Sequence, residues 1–368
     1  MFGYISKVRK KNSFVKDFRF FFVILEGLKT PTRLSRAGRI HPGPLKMRPA
    51  NFYTWPMANL GYSFLLVLTA FLWGTTFVAQ VEGNSAGPFV FTCLRSFIAT
   101  GFLFGLVKVL DRLGFSSKRP KSKKEKKTLW IAGILCGTAL AFGNNLQQLG
   151  IALGTSAGKA GFLTACYLFI VPILGIFLGK KCSVKIWICV AIALVGLYLL
   201  CIRENFSFEF CDSVTLLCAI AFAVQILVVD KFVGIVDNVR LSCIQFLVVG
   251  ILSAFPMFFA DMGASLQGIK SALEVYSHAG AWFPLLYAGI LSSGVAFTLQ
   301  IIAQNKIRPT VASLLMSLES VFAVLAGCVV LGERLSAKEA VGCILIFAAI
   351  VLAQIRFEKK SRDSVSGS

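Results

Sequence analysis

The chain has 368 residues, of which 56% are hydrophobic and 15% charged, with a formal net charge of +21. Soluble domains carry about 25% charged residues, so this composition lacks the polar skin that water requires and points to lipid as the solvent. The cations stand in short tracts between long apolar runs, which excludes a basic nucleic-acid-binding face and fits the positive-inside pattern of membrane proteins.

Residues 1–57 are basic and weakly periodic. Phe18–Leu25 is apolar but too short to span, and no signal-peptide cleavage pattern follows it. This stretch is expected to be a basic arm, disordered or lying on the membrane surface, or else to precede a true start at Met47 or Met57.

A spanning helix needs about 20 mostly apolar residues. Ten such stretches follow in order: Leu60–Val81, Pro88–Leu110, Leu129–Leu149, Ala157–Leu178, Ile186–Cys201, Ser213–Val229, Leu241–Phe259, Trp282–Ile302, Thr310–Leu331 and Ala337–Ile355. Backbone polar groups in lipid must be satisfied within the segment, so the spans are helices, and short alternating strands of a barrel are not visible. Every connection reads as short, the longest in the second half being Ala260–Gly280, and residues 356–368 form a tail.

All but six of the 38 Lys and Arg residues fall on one side of this arrangement. The opposite loops hold only Arg203, Lys270, Arg334 and Lys338, while Arg95 and Lys159 lie within spans. Both termini are therefore expected in the cytoplasm, with Lys118–Lys124 as the strongest anchor.

Self-similarity organises the spans. A shift of 153 residues lays the third to fifth on the eighth to tenth: Leu146-Gln147 meets Leu299-Gln300, Leu178-Gly179 meets Leu331-Gly332, Ser183 meets Ser336 and Lys185 meets Lys338. The expected fold is an all-α membrane protein of ten transmembrane helices in two five-helix repeats, residues 58–201 and 212–355. An odd number of spans per repeat turns the second half over, which is the inverted-repeat plan of alternating-access carriers.

The chain resembles the drug/metabolite transporter superfamily, in particular proteins with two EamA domains. The resemblance rests on Leu72-Trp73-Gly74, Arg95, Gly158-Lys159-Ala160-Gly161-Phe162-Leu163-Thr164, Leu318-Glu319-Ser320-Val321-Phe322 and Leu331-Gly332-Glu333-Arg334-Leu335, and it covers about Asn59 to Ile355. Ser320 stands where the family usually has Pro, and Lys180-Lys181 where Glu-Arg is common. The resemblance implies ten helices in inverted halves and movement of small organic solutes, often outward.

Ionisable groups inside spans are costly, roughly 2.5–3.5 kcal/mol at the centre. Glu319, in mid-span, is expected to bind a cationic group or to carry the coupling proton, or else to tie helices together. Arg95 reads as a contact for an anionic group or as a snorkelling anchor. Lys159 reads as a gate or an anchor. The tract Gly154–Lys159 is one residue short of a P-loop, and Ala160 stands where Ser or Thr must hold magnesium, so nucleotide binding is rejected.

The third span ends in Asn144, Asn145, Gln147 and Gln148. Asn144 with Gln148, and Asn145 with Gln148, share helix faces that must point at partners or a cavity. Gln300 is the repeat mate of Gln147, and Gln225 and Gln245 add amides to the second half. Trp73, Tyr167 and Phe322 are candidate aromatic walls. The expected solute-contacting set is Trp73, Arg95, Asn144, Asn145, Gln148, Tyr167, Gln225, Gln300 and Glu319, with Glu319 and Lys159 at the coupling step or gate.

The pairs Gly101/Gly105, Gly133/Gly137 and Gly175/Gly179 are candidates for close helix contact. Asp212 is expected to cap the sixth span. Most of the eleven cysteines lie in apolar runs as packing residues, with Cys201 and Cys211 close enough in sequence to oxidise together. No Cys/His spacing supports a metal, and no cofactor is expected. The alternative, a membrane-embedded enzyme acting on lipid-linked substrates, would need paired carboxylates, HExxH or a Ser/His set, none of which appears, and a channel would favour a symmetric oligomer with one pore-lining element. The reading favoured is a proton-coupled secondary exporter of small metabolites in the plasma (inner) membrane, a monomer or weak homodimer.

Overall fold

In the computed structural model the described residues are 57–114, 119–155, 157–180, 182–201, 209–331 and 336–354. The basic arm, the Gly332–Leu335 part of the family signature and the side chain of Cys201 lie outside them. The chain divides into units of residues 1–61 and 62–368. Of the first, only the opening of the first helix is described; the rest of this account concerns the second.

Among the described residues the regular structure is helical throughout. The first half comprises α1 (Met57–Glu82), α2 (Pro88–Arg112), α3 (Lys123–Ala152), α4 (Ala157–Ala165), α5 (Tyr167–Phe177) and α6 (Val184–Cys201). The second comprises α7 (Phe210–Phe232), α8 (Asn238–Pro256), α9 (Leu266–Val275), α10 (Ala279–Leu286), α11 (Phe297–Gln304), α12 (Pro309–Met316), α13 (Leu318–Leu331) and α14 (Ala337–Gln354). Local chemistry sets several starts. Pro88 and Pro309 occupy first helical positions, where a missing N–H costs nothing. Ser122 and Glu125 form a reciprocal capping box on α3. Asp237 caps α8 by accepting the Arg240 amide.

The fourth and ninth spans are both broken, at Cys166 between α4 and α5 and at Ser317 between α12 and α13. The ladder tightens there to three-residue spacing, with the Cys166 amide donating to the Leu163 carbonyl and the Ser320 amide to that of Ser317. The eighth span is broken differently: a ten-residue π segment, Tyr287–Ala296, joins α10 to α11. A shorter π segment, Met257–Asp261, extends α8.

Among the described residues, eight of the ten expected spans are long and apolar enough to cross a bilayer. The fifth is a shorter apolar helix, Val184–Leu200; 17 residues rise about 25 Å, less than the roughly 30 Å of a hydrocarbon core. α14, the tenth, is described only to Gln354 and packs against α6. The Ala260–Gly280 connection is no plain loop, because it holds α9, capped by Ser265.

The pairing of α2 with α8 is informative. The Cys93 thiol donates to the Gly250 carbonyl and the Cys243 thiol to that of Thr100. Asp261, at the end of the α8 span, accepts the amides of Phe89 and Val90 at the start of α2, each at 2.8 Å. Asp111, at the end of α2, accepts the Arg240 guanidinium near the start of α8, at 2.6 and 2.7 Å. Cys93/Cys243, Thr100/Gly250 and Asp111/Asp261 are each 150 residues apart, so equivalent positions exchange equivalent contacts and the two helices run antiparallel. α6 and α14 also cross antiparallel. A Cβ on Gly342 would lie 2.7 Å from the Leu200 amide, and one on Gly196 3.0 Å from that of Ile346.

Of the glycine pairs, Gly133/Gly137 makes a close interhelix contact. A Cβ there would meet Ile244 Cβ at 2.7 Å and the Gln245 carbonyl at 2.7 Å, so α3 lies directly on α8. Gly101 and Gly105 face open space, and Gly175 meets only Lys180 of its own connection.

Candidate functional site

The broken spans meet at a cavity of about 50 Å³ in the centre of the bundle. α1 contributes Trp73, Thr76, Phe77 and Gln80, which recur at i, i+3, i+4 and i+7 and so form one helix face. That helix is held hard against its neighbours. Gly74 has no side chain because a Cβ would lie 2.5 Å from the Glu319 carbonyl, and Thr69 donates to the Ala296 carbonyl at 3.2 Å. The Trp73 and Phe297 ring centroids lie 4.6 Å apart with the planes tilted by 53°.

Two matching amide pairs brace opposite walls. Gln80 Nε2 donates to Gln147 Oε1 at 3.0 Å, and Gln147 Nε2 to Thr164 Oγ1 at 3.0 Å. In the second half Gln300 Nε2 donates to Gln225 Oε1 at 3.1 Å. Amides in lipid need partners, and these supply one another.

Two ionisable groups of opposite sign line the same small space. Glu319, the second residue of α13, is 4% exposed, and its Oε1 accepts the Tyr167 hydroxyl at 3.2 Å. Arg95 of α2 is 3% exposed, and its guanidinium lies 5.6 Å from the Phe91 ring centroid. No ion pair joins Arg95 to Glu319 among the described residues.

Five buried polar atoms on residues lining the cavity have no hydrogen-bond partner among the described residues: the donors Trp73 Nε1, Arg95 Nε, Asn144 Nδ2 and Gln225 Nε2, and the acceptor Gln300 Oε1. Each unpaired buried group costs about 1–3 kcal/mol, and such groups in a native protein call for an explanation. These five atoms, the Arg95 guanidinium among them, cluster around one cavity.

Trp73, Arg95, Asn144, Tyr167, Gln225, Gln300 and Glu319 are thus gathered at one place. Asn145 and Gln148 are not. Asn145 Nδ2 donates to Ser253 Oγ at 2.8 Å, and Gln148 Nε2 donates to the Gln80 carbonyl and Asn84 Oδ1. The cavity face of α3 is Asn144 with Gln147, at i, i+3. Lys159 also stands apart, with its ammonium 2.7 Å from Asp212 Oδ2, whose side chain is fully buried. Asp212 is the third residue of α7, reaching back to the Glu209 amide, while Glu209 holds the cap position. Cys211 is free. Thr76, Phe77, Gln80, Phe222, Ile226, Ser292 and Phe297, which did not stand out in the sequence, complete the lining with Gln147 and Thr164.

The model of the EamA-like transporter family matches this chain twice, over residues 60–202 and 210–354. The chain belongs to that family. It is an integral, multi-pass membrane transporter by family and by helix content. Its relatives include an uncharacterized transporter of Archaeoglobus fulgidus, 29% identical over 301 residues, covering 81% of this chain and 86% of the relative. Another is the uncharacterized transporter YoaV of Bacillus subtilis, 22% identical over 301 residues, covering 80% and 97%. A protein of known crystal structure superposes with a TM-score of 0.64 at 18% identity, over 80% of this chain and 96% of the other, and so shares the fold.

Proposed function

We propose that this EamA-family protein is a secondary active transporter that exports a small organic solute bearing both an anionic and a cationic group. The observation that carries the reading is the pair Arg95 and Glu319, buried on one cavity and not paired to each other. A carboxylate or phosphate on the solute satisfies Arg95, Trp73 Nε1 and Asn144 Nδ2. An ammonium satisfies Glu319 and Gln300 Oε1. Trp73, Phe222 and Phe297 flank the remaining apolar part.

The carrier consists of two five-helix halves, residues 58–201 and 212–355, laid through the membrane in opposite senses. The antiparallel contacts of α2 with α8 and of α6 with α14 support this plan, as do the matched breaks in the fourth and ninth spans. A volume of about 50 Å³ is far below the roughly 300 Å³ at which ligand sites begin. A solute needs the halves to part before it can enter, which supports an alternating-access reading. Glu319 is the acidic residue lining the cavity and is the group assigned to proton coupling. Both termini lie in the cytoplasm of a plasma-membrane protein acting as a monomer or weak dimer.

Purified protein in proteoliposomes tests the reading. Uptake of a zwitterionic solute is expected to saturate and to follow an imposed pH gradient. Flux that stays linear with concentration and ignores Glu319→Gln means a channel instead.

A further inference from the structure

We infer that the protein carries a binding groove for an anionic phospholipid headgroup, formed by the segment Arg119–Leu129 and the α7–α8 connection. The groove encloses about 440 Å³, the size of a headgroup and several times the central cavity. Arg119, Lys121 and Lys124 line one side, and Ile235 and Val236 the other. Leu129, at its floor, opens the apolar run of α3, so the groove sits where a headgroup meets its acyl chains. Ile235 is 65% exposed beside it, and Trp130, the residue after Leu129, is also exposed.

The balance of charge is what singles out an anion. Two carboxylates line the groove, and both are engaged. Glu125 accepts the amides of Lys121 and Ser122 at 2.7 and 3.3 Å, completing the capping box. Asp237 accepts the Arg240 amide at 2.9 Å and lies 3.2 Å from its guanidinium. The cations are far less satisfied. Arg119 reaches Asp111 only at 4.0 Å, and Asp111 is already held by Arg240. Lys121 and Lys124 have no carboxylate oxygen within 4.0 Å among the described residues. Basic pockets at the ends of spans are where anionic headgroups bind, and a phosphodiester bridging Lys121, Lys124 and Arg119 completes this one. Its position gives it leverage, because Asp237 and Arg240 belong to the tie between α2 and α8.

The test is thermal unfolding of the purified full chain in detergent, titrated with phosphatidylglycerol, phosphatidylcholine or inorganic phosphate. Phosphatidylglycerol is expected to raise the unfolding midpoint by several degrees and the other two not to. Replacing Arg119, Lys121 and Lys124 together by Gln should abolish the shift. Replacing Lys123, Lys126 and Lys127 by Gln removes the same charge from the same segment outside the groove and should preserve it. Should the first triple variant not insert, Lys124→Gln alone is expected to weaken the apparent affinity at least threefold. Equal shifts with phosphatidylcholine or with phosphate, equal loss in the control triple, or an unchanged affinity in Lys124→Gln overturns the assignment.

Discussion

The two halves repeat each other in scaffold but not in charge. α2 and α8 exchange thiol–carbonyl bonds at equivalent positions, and each places an Asp of its own end at the beginning of the other. Gln80–Gln147 and Gln225–Gln300 brace facing walls in the same way. Yet Arg95, 150 residues before Gln245, has only an amide as its equivalent, and Glu319 has Cys166, 153 residues earlier. Gln245 is buried with both amide atoms unpaired, and Cys166 lies at the break between α4 and α5. The third span is one continuous helix, whereas the eighth contains the ten-residue π segment that delivers Ser292. The lesson is that the duplicated parts build the bundle, while the parts that differ set the charge of the cavity lining.

Four perturbations sharpen that comparison. The largest effect on transport belongs to the charged pair. Losing a charge-assisted contact costs about 1.5–3 kcal/mol, or roughly 10- to 100-fold at 1.4 kcal/mol per decade. Arg95→Gln and Glu319→Gln should each lower saturable uptake by that factor, whereas Cys166→Ala at the mate position should leave it within about twofold. Equal losses at both positions would erase the distinction between the halves.

Next comes Lys159→Ala, which strands the buried Asp212 carboxylate. Breaking a buried pair costs on the order of 3 kcal/mol, to be read as a lowered unfolding midpoint, and adding Asp212→Asn should recover part of it. A Lys159 that serves transport alone would leave the midpoint where it was. Third, Gly74→Ala forces a methyl onto the Glu319 backbone. Overpacking of this kind costs about 1–3 kcal/mol and should lower uptake with it. Gly101→Ala, in open space, should be neutral or stabilise by up to about 1 kcal/mol. The smallest effects should come from Gln80→Ala and Gln225→Ala, about 1 kcal/mol each and similar to one another, since both belong to the shared scaffold.

Much of this is legible in the sequence. Arg95 and Glu319 announce themselves because a charge in an apolar run needs a reason, and the repeat appears in register landmarks such as Gln147 and Gln300. The α3 amides were legible only in part. With polar residues at 144, 145, 147 and 148, two helix faces compete, and the placement of α1 and α8 decides between them. Asn144 and Gln147 meet the cavity, while Asn145 and Gln148 turn to Ser253 and Asn84. The partner of Lys159 lies 53 residues away, a distance over which sequence spacing says nothing. Gln80 was within reach, since Trp73, Thr76, Phe77 and Gln80 share one helical face. The π segment and α9 were not, because Gly289, Ser292 and Gly294 read as ordinary small residues of a span and α9 hides within a polar connection.

The most direct measurement is counterflow in proteoliposomes with three probes of matched size: a zwitterion, its amine-only analogue and its carboxylate-only analogue. The wild-type protein should exchange the zwitterion and discriminate against both halves of it, Arg95→Gln should lose the carboxylate's contribution, and Glu319→Gln should lose the ammonium's while still taking the carboxylate-only probe. Equal exchange of all three probes, or identical selectivity in both variants, would contradict the assignment of opposite charges to opposite ends of one solute.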